Sequence, residues 1–190
     1  MPTFLTSHPE SAAELVAAAG RQRPHLILVG LPGSGKTRAG QAAAEKLGRR
    51  FLDFDAEIER RELVSISEIF AAKGEPHFRE LERSITNEVR GTSNMVLAPG
   101  GGWIANPGCL ELLRPPAILL YLKVKPEIAV SRMGRGTARR PLLRQGKPAA
   151  QLTDILKKRE DLYLQSDHTI STDFLSYIQV AERIVALATA

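Results

Sequence analysis

The sequence predicts an α/β protein of three layers, α/β/α, built on a five-stranded parallel sheet. Three observations predict it. Short apolar runs alternate with helical segments, each run is apolar throughout rather than at every second residue, and the first run flows into a glycine-rich turn that opens a helix. Strands covered on both faces read as continuous apolar runs, and strands separated by helices pair in parallel through crossovers.

In chain order, residues 1–23 read as an appendage. Ser11 and Glu14 are spaced as a capping box before an Ala-rich stretch ending at Ala19, with Gly20 as its stop. The domain proper is expected over 24–190. It opens with a strand over 25–29, a glycine-rich turn and a helix ending near Gly48. A second strand is expected over 51–54, then helices over 56–62, 66–73 and 75–90, with Ser65 and Glu68 as a second capping box. A strand over 95–98 leads into a turn over 99–102, a helix over 107–113, a strand over 117–122 and a helix over 126–133. Residues 134–148 hold Gly, Pro and Arg without an apolar period and read as a mobile loop. A helix over 149–165, a strand over 168–171 and a helix over 176–188 close the chain.

With 190 residues, the chain has the length of one domain plus a short extension. That length suffices to bury roughly 70% of the surface its unfolded form exposes. The only cysteine is Cys109, which excludes an internal disulfide and fits a reducing, cytoplasmic setting. No apolar run is long enough to span a bilayer, and the N-terminus lacks the basic and apolar regions of a secretory signal. Lys and Arg outnumber Asp and Glu by 26 to 21. Such an excess suits nucleic acid, and equally suits phosphates and carboxylates.

Residues Gly30, Leu31, Pro32, Gly33, Ser34, Gly35, Lys36 and Thr37 match G-x-x-x-x-G-K-[ST] in full. Glycines let successive N–H groups approach anionic oxygens, and the helix N-terminus behind them favours negative charge. Lys36 supplies a point charge to the β- and γ-phosphates, and the Thr37 hydroxyl is a candidate Mg²⁺ ligand. Asp53 and Asp55 flank Phe54 at the end of the second strand. Alternation would place both carboxylates on one face, beyond the carboxyl end of the strand, where ligands of open α/β sheets gather. Such a pair can hold Mg²⁺ through water and accept a hydroxyl proton, although one Asp there is also a natural cap for the next helix.

The order of motifs resembles the shikimate kinase family. It comprises the P-loop; Asp53-Phe54-Asp55; Gly74-Glu75-Pro76-His77-Phe78-Arg79-Glu80-Leu81-Glu82; Gly100-Gly101-Gly102; Arg140-Pro141-Leu142-Leu143; and Arg159-Glu160-Asp161-Leu162-Tyr163. The resemblance covers about residues 25 to 175 and implies a P-loop kinase fold with a lid over 134–148. It implies ATP and Mg²⁺ as cofactors, shikimate phosphorylated at its 3-hydroxyl, and a monomer with no nucleic-acid or membrane partner.

By that resemblance, Gly33, Ser34, Gly35, Lys36, Thr37, Arg132 and Arg140 bind the nucleotide, with Lys36 and Arg140 also catalytic. Asp55 binds the acceptor hydroxyl and assists its deprotonation, and Thr37 and Asp53 serve the metal. Arg79 and Arg159 clamp the substrate carboxylate as planar guanidinium forks, with Glu82 on the same helix face as Arg79 to orient it. Gly100, Gly101 and Gly102 present backbone N–H groups to the acceptor ring.

The chain departs from the family at three places. Pro99 stiffens the glycine turn. Trp103 follows it where a small residue is usual, and either packs into the core or reshapes the acceptor pocket. Leu63 stands where glycine usually ends a helix, so the local turn is expected to differ. Three competing readings remain: a kinase for another small polyhydroxy acid such as gluconate, a non-catalytic ligand sensor on the same fold, and a nucleic-acid binder. The sensor would have lost Lys36, Asp55 or an arginine, and all are present. The basic run containing Arg132, Arg135, Arg139, Arg140, Arg144 and Lys147 lacks interleaved aromatics, so it has a simpler explanation in a triphosphate.

Overall fold

The computed structural model describes residues 23–134 and 147–189. The helix expected within 1–22 and most of the expected lid, including Arg140, lie outside the described residues. Five strands form one parallel sheet: β1 (Leu26–Val29), β2 (Arg50–Asp53), β3 (Met95–Ala98), β4 (Ile118–Lys123) and β5 (His168–Ser171). Their spatial order is β2-β3-β1-β4-β5.

The central strands divide their side chains between two apolar clusters. Ile27 and Val29 of β1 join Leu119 and Tyr121 of β4 in one cluster, while Leu26 and Leu28 join Leu120 and Leu122 in the other. Neighbouring residues of a strand point to opposite faces, and here both faces are dry. That is why these strands read as unbroken apolar runs.

One outer layer is α1 (Lys36–Leu47) beside α7 (Tyr177–Thr189). Ala39, Ala43 and Ala44 of α1 meet the cluster that holds Val180, Ala181 and Ile184 of α7. The other layer contains α2 (Phe54–Glu62), α3 (Ile66–Arg90) and α6 (Pro148–Tyr163), which bury Ile58, Ile69, Ile85, Leu152 and Tyr163. Shorter helices α4 (Cys109–Leu113) and α5 (Pro126–Met133) and a 3₁₀ turn (Trp103–Ala105) complete the order.

Most expected elements stand within a few residues of their expected bounds. The Ser65 and Glu68 capping box is formed reciprocally, at 3.3 and 2.7 Å. The expected break between 73 and 75 is a bend within α3 at Gly74, whose φ of 78° interrupts the helix two residues before Pro76. Two expectations fail. Phe54 does not end β2 but opens α2, and the helix expected over 107–113 begins only at Cys109, after the 3₁₀ turn.

Leu63 corrects a third expectation. The turn after α2 is not rearranged to suit it: Leu63 takes the left-handed conformation that glycine would, with φ 57° and ψ 20°, and its N–H donates to the Glu59 carbonyl at 3.0 Å. A Cβ in that conformation costs roughly 1 kcal/mol, and the side chain, 87% exposed, recovers little by packing. Leu63→Gly is therefore expected to raise stability by about 0.5–1 kcal/mol, read as a higher urea midpoint. A lower midpoint would mean the Leu63 side chain contributes more than its exposure suggests.

Candidate active site

The loop between β1 and α1 turns on glycines with positive φ at Gly30, Gly33 and Gly35. Gly33 also lies so close to α5 that a Cβ on it would stand 2.5 Å from the Ala129 carbonyl oxygen. Gly35 is the N-cap of α1 and offers no side chain to its N–H groups. The helix start is thus left with donors for an anion. Lys36 Nζ donates to the carbonyls of Gly30 at 2.9 Å and Leu31 at 3.1 Å, which keeps its charge at the loop.

Strand alternation does not place the two acids. Asp53 is the last residue of β2 and the N-cap of α2, where its Oδ1 accepts the Ala56 N–H at 3.1 Å. Its Oδ2 accepts the Thr37 hydroxyl at 2.6 Å. Asp55 lies in the first turn of α2, and both acids line the same cavity. The capping function and the site function therefore coincide in Asp53. Among the described residues no group of three or more His, Cys, Asp and Glu side chains could hold a metal ion. The Thr37 and Asp53 oxygens are instead a partial donor set, of the kind that takes a small hard cation with phosphate oxygens and water.

The cavity, about 410 Å³, is lined by the loop, by Asp53, Asp55, Gly100 and Gly101, and by Arg38, Arg132, Met133, Leu175, Tyr177 and Val180. Its size suits a small organic ligand. Arg79 and Arg159 are not among its lining residues; both reach the glycine turn instead, from α3 and α6. Arg159 Nη1 donates to the Gly101 carbonyl at 3.1 Å. The Arg79 guanidinium lies against Gly102, where a Cβ would stand 2.7 Å from Nη1. A Cβ on Gly100 would stand 2.8 Å from Glu82 Oε1 and 2.9 Å from Asp55 Oδ1. Gly101 sits against the P-loop, its missing Cβ 3.1 Å from Pro32 Cδ. The turn needs glycine because charged side chains and the phosphate loop crowd it from every side.

Arg79 is held in place by carboxylates. Its Nη1 donates to Glu82 Oε2 at 2.6 Å, and its Nη2 and Nε donate to Glu75 Oε1 at 2.6 and 3.1 Å. Glu82 is fully buried, and desolvation pushes its carboxyl up to about 7 against the pull of Arg79, with Asp55 pushing the same way. Trp103 resolves as core. It is fully buried, edge-on to Phe54 at 6.4 Å, and its Nε1 donates to Thr86 Oγ1 at 2.9 Å. Thr86 in turn donates to the Glu82 carbonyl at 2.7 Å. Trp103 therefore ties the glycine turn to α3 without lining the cavity.

Arg132 lines the cavity, and its guanidinium is also bonded to protein. It donates to Thr172 Oγ1 at 3.0 Å, to the Thr172 carbonyl, and to the carbonyls of Asp173 and Leu175 at 3.3 Å each. It pins the segment after β5 that supplies Leu175 and Tyr177 to the cavity. That segment, with Arg38 standing over the Tyr177 ring at 4.7 Å, went unmarked in the sequence. The one available signal was position, since residues just past the carboxyl end of a strand line ligand sites in such sheets.

The buried carboxyl carries a pH signature. Between the ordinary 4.5 and about 7, folded Glu82 holds a proton that the unfolded chain has released. The folded state binds more protons there, so stability contributed by this group is full below 4.5 and is lost as pH rises toward 7. Glu82→Gln, which does not titrate, is expected to flatten the fall in urea midpoint across that window. Equal slopes in parent and variant would place the Glu82 titration elsewhere.

Known proteins supply an independent comparison. A family model described as shikimate kinase matches residues 32–189. A shikimate kinase of Rhodopseudomonas palustris is 34% identical over 186 residues, covering 98% of this chain and 90% of that protein. One of Acinetobacter baumannii is 40% identical over 165 residues, covering 86% of this chain and 91% of its own length. Among solved structures, shikimate kinase from Acinetobacter baumannii in complex with shikimate matches with a TM-score of 0.84 at 38% identity, covering 91% of this chain and 97% of that one. With the phosphate loop, the acidic pair and the crowded glycine turn all in one fold, and with relatives matched along nearly their whole length, the chain belongs to the shikimate kinase family.

Proposed function

We infer that this protein transfers the terminal phosphoryl group of ATP to the 3-hydroxyl of shikimate. The observation that carries this reading is the convergence on one glycine turn of Asp55, two guanidinium groups and the P-loop. A P-loop by itself names only the donor. The carboxylate and the arginines beside it supply a base and a clamp for a hydroxy acid.

In this reading the P-loop N–H groups and Lys36 hold the triphosphate, and Arg79 and Arg159 hold the substrate carboxylate. Asp55 takes the hydroxyl proton as the new O–P bond forms and the bond to the β-phosphate oxygen breaks, leaving ADP. Phosphoryl transfer is largely positioning and charge stabilisation, and these side chains supply both. Thr37 and Asp53 would hold Mg²⁺, which when bound neutralises phosphate charge. Arg140 keeps its assignment to the triphosphate by family resemblance alone. Residues 24–190 form the kinase domain and 1–23 an extension, in a monomer working in the cytosol. A same-class alternative, another polyhydroxy acid, was tied to Trp103 reshaping the pocket; Trp103 is fully buried and bonded to Thr86.

The test is a coupled assay for ADP with shikimate, ATP and Mg²⁺; no turnover above the shikimate-free blank would defeat the reading. Asp55→Asn is expected to keep nucleotide binding and lose at least 100-fold in kcat, within the range of general base removal (roughly 10²–10⁴). Full activity would take Asp55 out of its role.

Arg132→Gln is expected to raise KM for ATP about tenfold, equal to roughly 1.4 kcal/mol, and to leave KM for shikimate unchanged, because it loosens only the Leu175 and Tyr177 wall. Equal change in both constants would mean a general loss of structure.

A further inference from the structure

The Gly101 carbonyl accepts two hydrogen bonds, from the Tyr163 hydroxyl at 2.7 Å and from Arg159 Nη1 at 3.1 Å. A carbonyl oxygen has two lone pairs, and both are used. Tyr163 is fully buried at the end of α6, stacked on Tyr121 of β4 with centroids 5.0 Å apart and planes 18° apart. The stack and full burial hold the ring in the core with its hydroxyl at the Gly101 carbonyl. Burial pushes that hydroxyl up to about 12, so it keeps its proton at any working pH.

The peptide between Gly101 and Gly102 is planar, and in the trans form its N–H points opposite its carbonyl. A donor that fixes the Gly101 carbonyl therefore also aims the Gly102 N–H. This peptide lies between the P-loop, through Pro32 beside Gly101, and the clamp, through Arg79 beside Gly102. The two donors to the carbonyl are not equivalent. Arg159 is shared with the substrate carboxylate in the proposed reaction, whereas the Tyr163 hydroxyl, which also neighbours Arg159, makes the shorter bond to the carbonyl.

We propose that Tyr163 is a positioning residue of the acceptor site: its hydroxyl, set by the Tyr121 stack, pins the Gly101 carbonyl and directs the Gly102 N–H toward the hydroxy-acid substrate. The proposal rests on the shikimate kinase reading. Tyr163 touches neither substrate nor nucleotide; it acts through one peptide plane.

Tyr163→Phe removes a single oxygen and keeps the stack. It is expected to raise KM for shikimate five- to tenfold while KM for ATP stays within twofold. The same factor should appear with methyl shikimate, which lacks the free carboxylate, because the effect runs through the glycine turn and not through the arginine clamp. Tyr121→Phe removes a hydroxyl from the same stack with no bond to Gly101, and both KM values should stay at the parent level. In the parent, the Gly102 amide resonance should shift on adding shikimate, a measurement that does not depend on the variant folding. A lower melting temperature with both KM values unchanged would reduce Tyr163 to a core residue and overturn the proposal. So would equal rises in both constants, or a Gly102 amide that ignores shikimate. Absence of shikimate turnover in the parent would remove the substrate itself, and both claims with it; normal parent turnover with unaltered constants in Tyr163→Phe would remove the role of Tyr163 alone.

Discussion

The site depends on one constraint, the close approach of backbone to charged side chains at Gly100, Gly101 and Gly102. Each of these glycines stands where a Cβ would fall within 3.1 Å of Glu82, Asp55, Pro32 or Arg79. None of the three takes a positive φ, so freedom of φ is not the reason for glycine here. The reason is space. Chain segments that are distant in sequence meet at this turn: the P-loop after β1, the start of α2, the middle of α3 and the end of α6. Because the turn is thin, the phosphate loop and the guanidinium groups come near enough to serve one transfer between two bound molecules.

That crowding has an energetic consequence in Glu82. A carboxylate buried without compensation would cost several kcal/mol, and Glu82 has no exposed surface. Arg79 offsets part of the cost through one short ion pair at Oε2, while Oε1 has no hydrogen-bond partner among the described residues. Asp55, close on the other side of Gly100, opposes ionisation. Trp103 and Thr86 tie the backbone of the buried acid to the glycine turn through two hydrogen bonds. Breaking such a pair by removing one partner is generally worse than never having built it. This makes the α3 segment from Glu75 to Thr86 the frame on which the acceptor side hangs.

Much of the fold was legible because two-sided burial leaves a plain signature. Leu26 through Val29 could be read as a strand from four apolar residues, since both faces of β1 are covered. The capping box at Ser65 and the break at Gly74 were equally legible, each resting on chemistry within a few residues. The acidic pair was found for the wrong reason. Asp53 and Asp55 share the cavity because α2 begins between them, not because they alternate on β2. Leu63 shows the opposite limit: its strained φ is imposed by the path from α2 to α3, and a local preference worth about 1 kcal/mol does not redirect that path.

The residues of the sequence by themselves determined the phosphate loop, the order of strands and helices and the identity of the charged groups. These follow from short-range chemistry: glycines that admit anions, apolar runs long enough for a strand, caps that satisfy helix ends. Only the tertiary structure decided how those groups are used. It made Arg132, which lines the cavity, also the clasp of the segment after β5, sent Trp103 into the core, and brought Tyr163 to the Gly101 carbonyl across 62 residues of chain. Each outcome depends on which distant backbone a side chain meets when the layers close. No periodicity or motif records that meeting, because it is set by packing between elements and not by the residues on either side in sequence.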